Sequence, residues 1–248
     1  VLDRVTAECR PFVLEKPGTV DAAALESAAA AAAAHRIPTL VPLVNRYADF
    51  WAAVDRTDLR RTWTHAHFRI IAGPPDRYLR DGVPWVLDPA RYGGGALRNL
   101  GVHAADAIAE LMHGSIGPEH LRIRSAQLSR SLHHLAVEDF ALATLVTADG
   151  RTITIEAGYA MPAENAPDKE WRLHGPGESV AESNGLVIVR DAAGVHTAES
   201  APSSAQYLTF GHTMAALALG RPADFAGIPE LLAAQRLIDR LYAAAETI

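Results

Sequence analysis

With 248 residues, 49% hydrophobic and 21% charged, the chain has the composition of a soluble globular protein able to bury a sizeable core. A formal net charge of -6, with no Lys/Arg cluster denser than Arg60-Arg61, excludes a nucleic-acid surface. The single cysteine, Cys9, excludes an internal disulfide framework and fits a reducing, cytoplasmic setting. The alanine run from Ala28 to Ala34 falls far short of the roughly 20 residues a membrane-spanning helix needs. The chain opens on Val1 without a signal sequence, which points to a sequence that begins partway through a gene product.

In chain order, Phe12 to Leu14 is a short apolar run after Pro11 and before Glu15-Lys16-Pro17-Gly18, the pattern of a parallel-sheet strand. Thr19 is the expected N-cap of a helix through about His35. Ile37 to Val44 reads as a second strand, with Pro38 and Pro42 marking an edge or bulge. A further helix is expected near Ala48 to Asp55, and a strand with one solvated face over Thr62 to Ile71. Four prolines make Gly73 to Arg91 mostly loop. Gly93-Gly94-Gly95 then leads into an amphipathic helix with Leu97, Leu100, Ala104, Ile108 and Leu111 on one face. Strands follow at Arg122 to Ser131, Asp139 to Thr147, Thr152 to Tyr159 and Trp171 to Leu173, with Asp149-Gly150 a hairpin turn. Helices over Ala205 to Leu219 and Pro229 to Ala245 close the chain.

Two segments carry a family resemblance. Phe12-Val13-Leu14-Glu15-Lys16-Pro17 is similar to the strand-plus-EKP signature of the glucose-fructose oxidoreductase and inositol dehydrogenase family (Gfo/Idh/MocA). Gly93-Gly94-Gly95-Ala96-Leu97-Arg98-Asn99-Leu100-Gly101-Val102-His103-Ala104-Ala105-Asp106 resembles its GGG-x-L-x-D-x-G-x-H-x-x-D helix. The likeness runs from about Val5 to the last helix. It implies an α/β remnant of a Rossmann domain over residues 1–47. An α+β domain over residues 48–248 follows, with a large, mostly antiparallel open sheet flanked by helices. It also implies NAD or NADP as cofactor, not bindable by this chain alone, because no G-x-G-x-x-G turn occurs to approach a pyrophosphate.

Hydride transfer from an alcohol needs the nicotinamide held against the carbon, the hydroxyl proton removed and the developing oxyanion steadied. The resemblance implies Lys16 as the amine bridging cofactor and substrate, with Glu15, Pro17 and Asn45 beside the cofactor. His103 is the expected general base, since imidazole titrates near working pH. Asn99, His103 and Asp106, spaced i, i+4, i+7, are expected on one helix face, with Asp106 structural. Asn99 departs from the resemblance, which implies Asp; an amide can bond a sugar hydroxyl but cannot raise the pKa of His103. Arg46, Trp85, Asn99, His103 and Tyr159 are the expected substrate contacts, with Arg46 equally readable as a surface ion pair. His65, His67, His133 and His134 read as surface residues, and no metal is expected.

The activity so implied is an NAD(P)-dependent dehydrogenase or reductase acting on a sugar, cyclitol or sugar derivative. The alternatives are a redox-assisted NAD-dependent glycosidase and a cofactor-free binding or assembly subunit. Under each, a homodimer or homotetramer through the open sheet is expected, with no nucleic-acid or membrane partner.

Overall fold

The computed structural model describes Arg4 and residues 11–112, 118–162 and 168–247, so Cys9 lies outside the described residues. Phe12–Val13 (β1) and Thr39–Leu40 (β2) pair in parallel, Phe12 opposite Thr39. The second strand is shorter than expected. Pro38 and Pro42 supply no N–H to a ladder, and the chain turns into a 3-10 helix at Val44–Tyr47. Between the strands runs α1 (Ala22–Ala34), an alanine-rich helix of high intrinsic propensity. Its N-cap is Asp21, not Thr19: the Asp21 carboxylate accepts from Ala24 N at 2.8 Å, while Thr19 donates to the Asp21 carbonyl.

The rest of the chain builds one sheet from β3 (His65–Ile71), β4 (Arg122–Ser129), β5 (Phe140–Val146), β6 (Thr152–Gly158), β7 (Asp168–Gly175), β8 (Glu178–Ser183), β9 (Leu186–Asp191), β10 (Gly194–Glu199) and β11 (Glu246–Thr247). The order is β10-β9-β8-β7-β3-β6-β5-β4-β11. The β3/β6 and β4/β11 pairs are parallel and the others antiparallel, as the expectation of a mostly antiparallel open sheet requires. The strands β8, β9 and β10 had no counterpart in the sequence reading.

Period-two alternation sorts the sheet into two faces. Ala66, Phe68, Ile153, Ile155, Trp171 and Leu173 are buried on one, against the helices. Those helices include α2 (Val102–Leu111), which continues from a π-helical turn at Leu97–Gly101, and, beyond α3 (Ser203–Ala218), which packs instead on the 3-10 turn through Phe210 and Val44, α4 (Ile228–Ala244). Trp171 sits at the centre of this core, with edge-on contacts to Phe50, Trp51 and Phe68 at ring-centroid distances of 5.8, 6.1 and 5.6 Å.

The opposite face is charged. His67 lies 3.1 Å from Glu156 and 3.8 Å from Glu170, which strand register brings beside it from β6 and β7. These partners come from across the ladder, not from neighbouring positions in the sequence.

The Gly73–Arg91 segment, expected to be loop, folds into short helical turns at Asp76–Arg80, Pro84–Leu87 and Pro89–Tyr92. Prolines start the last two, where a missing N–H costs nothing. Among the described residues no helix is long and apolar enough to cross a membrane.

Candidate active site

Because β1 and β2 run in parallel, their carboxyl ends open at one edge, and Lys16 and Asn45 lie just beyond them. The Lys16 ammonium donates to the Asn99 carbonyl at 2.8 Å and to Asn99 Oδ1 at 3.1 Å. This contact joins the two motifs, which are 83 residues apart. Burial pulls the amine down to about 8; Glu15 works against the shift and Arg77 adds to it.

A carboxylate holds the glycine-rich entry in place. Glu138, buried behind it, accepts from Gly95 N at 3.0 Å, Leu97 N at 2.9 Å and Tyr242 Oη at 2.6 Å. It thus serves as the anionic cap of the helix start. The glycines are steric necessities: a Cβ on Gly95 would lie 2.1 Å from the Glu138 carbonyl, and one on Gly94 2.0 Å from Tyr242 Oη.

The π-helical turn at Leu97–Gly101 alters the expected face. It holds more residues per turn than the 3.6 of an α-helix, so the i, i+4 spacing from Asn99 to His103 does not carry across it. Asn99, His103 and Asp106 accordingly find separate surroundings. Asn99 accepts from Lys16 and, at 3.0 Å, from Tyr92 Oη. Its amide nitrogen donates to Tyr78 Oη and, at 3.1 Å, to Tyr159 Oη. All four of its side-chain positions are filled by protein, leaving none for the sugar hydroxyl expected there.

Asp106 is buried and takes three hydrogen bonds from Arg46, at 2.7, 3.0 and 3.1 Å. Burial, with Glu110 and Glu230 nearby, pushes its carboxyl up to about 6 even against Arg46. Arg46 also reaches Glu110 at 3.1 Å. Its guanidinium is therefore engaged by two carboxylates, the ion-pair option of the two open in the sequence.

His103 has its Nδ1 buried and without a hydrogen-bond partner among the described residues. Burial, reinforced by the charges of Lys16 and Lys169, holds its imidazole well below the usual value. The expectation of a base poised near neutrality thus meets an imidazole that stays unprotonated. Tyr159, expected to face a cleft, is fully buried behind Asn99. Trp85 is 39% exposed; with Glu15, Lys16, Pro17, Arg91 and Tyr92 it lines a cavity of about 230 Å³.

The sequence reading did not assign Lys169, Glu182 or Tyr78 to the site. Lys169, next but one to Trp171 on β7, shares its face. Its amine donates to Asn45 Oδ1 at 3.1 Å and Glu182 Oε1 at 3.3 Å and lies 4.4 Å from the Trp171 ring centroid. One signal pointed to it: Lys16 and Lys169 are the only lysines in the chain.

Residues 62–181 match the family of the GFO/IDH/MocA C-terminal domain. The chain carries a Gfo/Idh/MocA C-terminal domain. That span takes in Asn99, His103 and Lys169 but begins after Lys16 and Asn45. No curated protein matches the sequence.

Solved Gfo/Idh/MocA-like structures extend the likeness to the front of the chain. An oxidoreductase from Agrobacterium radiobacter, in complex with NAD+, L-tartaric acid and magnesium, is 16% identical with a TM-score of 0.80, covering 98% of this chain and 73% of its own. A 3-ketoreductase from Actinomadura kijaniata, in complex with NADP and TDP-benzene, is 16% identical with a TM-score of 0.73, covering 100% and 74%. An aldose-aldose oxidoreductase from Caulobacter crescentus, complexed with glycerol, is 21% identical with a TM-score of 0.76, covering 98% and 72%. At these identities the likeness is one of fold.

Proposed function

We propose that the chain is the catalytic and substrate-binding part of an NAD(P)-dependent oxidoreductase. It would move a hydride between the nicotinamide and a hydroxyl or carbonyl carbon of a sugar, cyclitol or sugar derivative. Residues 1–47 would be the remainder of its dinucleotide-binding domain. The observation that carries this reading is the Lys16–Asn99 contact, which puts a desolvated amine at the strand edge where ligands of open α/β sheets bind. The nicotinamide-binding and sugar-acting neighbours support the cofactor and the substrate class.

The residues present fit the nicotinamide end of such a cofactor: Glu15, Lys16 and Pro17 line a cavity bounded by Trp85, whose indole offers an apolar wall. No G-x-G-x-x-G turn occurs in the sequence to cradle the pyrophosphate, so that role is assigned to none of these residues. When bound, the nicotinamide supplies the hydride acceptor or donor. Lys16, at about 8, exchanges the hydroxyl proton and steadies the oxyanion as ammonium. His103 stays neutral and orients the hydroxyl. Asn99 acts through Lys16 as a positioning residue, and Tyr78, Tyr92 and Tyr159 fix Asn99.

The test is a panel of sugars and cyclitols with NAD+ and NADP+ on the natural full-length protein, following nicotinamide absorbance. Net reduction with at least one sugar, abolished by Lys16→Met, is the expected result. A protein that binds neither nucleotide by calorimetry would sink the proposal.

A further inference from the structure

Among Lys16, Lys169 and the charges that act on them, the positive ones outnumber the negative. Lys16, Arg77 and Lys169 bring three positive charges; Arg77 reaches Tyr78 Oη at 2.8 Å and acts on Lys16. Against them stand two carboxylates. Glu15 is exposed at the turn. Glu182 is buried and divided between Lys169 and the Phe50 backbone N–H at 2.9 Å. Asn99, the group that holds Lys16, is neutral. Three against two leaves this pair of lysines one counter-charge short, in surroundings where burial makes that costly.

The donors do not balance either. An ammonium carries three N–H bonds. Lys16 spends two on Asn99, and Lys169 spends two on Asn45 and Glu182, so each keeps one among the described residues. His103, on which both lysines act, has a buried Nδ1 with no partner among the described residues.

We propose that this site takes an anionic substrate, a hydroxy acid or sugar acid, with Lys169 as the specificity-determining residue that meets its carboxylate. The proposal rests on the oxidoreductase reading above, which gives the reacting hydroxyl to Lys16 and His103. A carboxylate at Lys169 uses the remaining N–H and cancels the surplus charge. A hydroxyl in the same place would do only the first. Trp171 beneath the amine and Asn45 beside it hold the ammonium in place, so little side-chain freedom is lost on binding.

The test compares matched pairs that differ chiefly in charge: D-glucuronate with D-glucose, D-galacturonate with D-galactose, D-gluconate with D-sorbitol. Each is titrated calorimetrically into the protein, and separately assayed for nicotinamide reduction. At least one acid should bind roughly tenfold more tightly than its neutral partner, the scale of one charge-assisted hydrogen bond. Lys169→Arg should keep the preference. Lys169→Met combined with Glu182→Gln, which leaves no buried carboxylate unpaired, should bring the acid-to-neutral ratio to about one. The proposal falls if no acid outbinds its partner, or if the double variant keeps the ratio or loses both ligands equally. Acid preference without any nicotinamide reduction would instead overturn the oxidoreductase reading and leave the anion site standing.

Discussion

Asn99 accepts from Lys16 and Tyr92 and donates to Tyr78 and Tyr159, so its amide sets the geometry of the amine without touching a ligand. A carboxylate there would put a negative charge beside the ammonium and favour its charged form, raising the pKa of Lys16. Asn99→Asp should therefore move upward, from about 8, the limb that Lys16 sets in the kcat/KM profile. The tyrosine hydroxyls can rotate to donate to the new oxygen, so folding should survive. An unmoved limb would show that Asn99 does not govern the amine.

Lys16 has a second consequence, for stability. Its folded pKa, about 8, lies below its ordinary value of 10.5. Between those two values the unfolded chain holds a proton that the folded chain has released, so folding stability should rise with pH across that window. Urea midpoints at pH 7.5 and 10 should show this rise, and Lys16→Met should flatten part of it. The two motif residues, Lys16 and His103, were legible because their neighbours in sequence carry the signature. Lys169 and Glu182 were not, since the β7/β8 register brings those two together and the packing of the 3-10 turn brings Asn45 to Lys169 across 124 positions.

At the scale of elements, the glycine-rich entry and its π-helical turn form one unit with Glu138. Glu138→Ala would leave the Gly95 and Leu97 N–H groups and the Tyr242 hydroxyl without their acceptor, at a cost of about 1–3 kcal/mol for each left unsatisfied. Its thermal midpoint should drop well below that of the parent, and Glu138→Gln, which keeps one oxygen, should fall between. A midpoint unchanged by the alanine would mean that water replaces the carboxylate.

The helix itself was legible from the spacing of Leu97, Ala104, Ile108 and Leu111, all buried. Its π turn was not, because the choice between i−4 and i−5 bonding is decided by packing against the glycines and Glu138. The strands β8, β9 and β10 were missed although their turns are written in the chain. Asn184 and Gly185 both take positive φ, 50° and 79°, the conformation of a type I′ hairpin. The ladder on the outer side of that turn carries mostly exposed residues, so hydrophobic alternation, the signal sought, is weak there.

At the scale of the molecule, the front of the chain is not an appendage. Ala22 N donates to Asp239 Oδ2 at 2.7 Å, Gln235 Nε2 to the Thr19 carbonyl at 2.8 Å, and Arg236 pairs with Glu26 at 2.8 Å. Ala22 and Leu25 of α1 belong to the same apolar cluster as Phe68, Trp171 and Leu237. A boundary at residue 47 that follows the resemblance therefore cuts through a shared core. If that core is one cooperative unit, a cavity made in α1 must be felt by the sheet. Leu25 is fully buried, and Leu25→Ala should cost about 2–5 kcal/mol. All four tryptophans, Trp51, Trp63, Trp85 and Trp171, lie beyond residue 47. With Trp85, which faces Glu15 to Pro17, replaced by phenylalanine, the fluorescence of the other three reports the sheet portion, whereas far-ultraviolet dichroism also registers α1. Leu25→Ala should lower both denaturation midpoints together and leave the two curves superimposed, the mark of an all-or-none transition. A fluorescence midpoint that stays put while the dichroism develops an early phase would show that residues 11–47 unfold on their own.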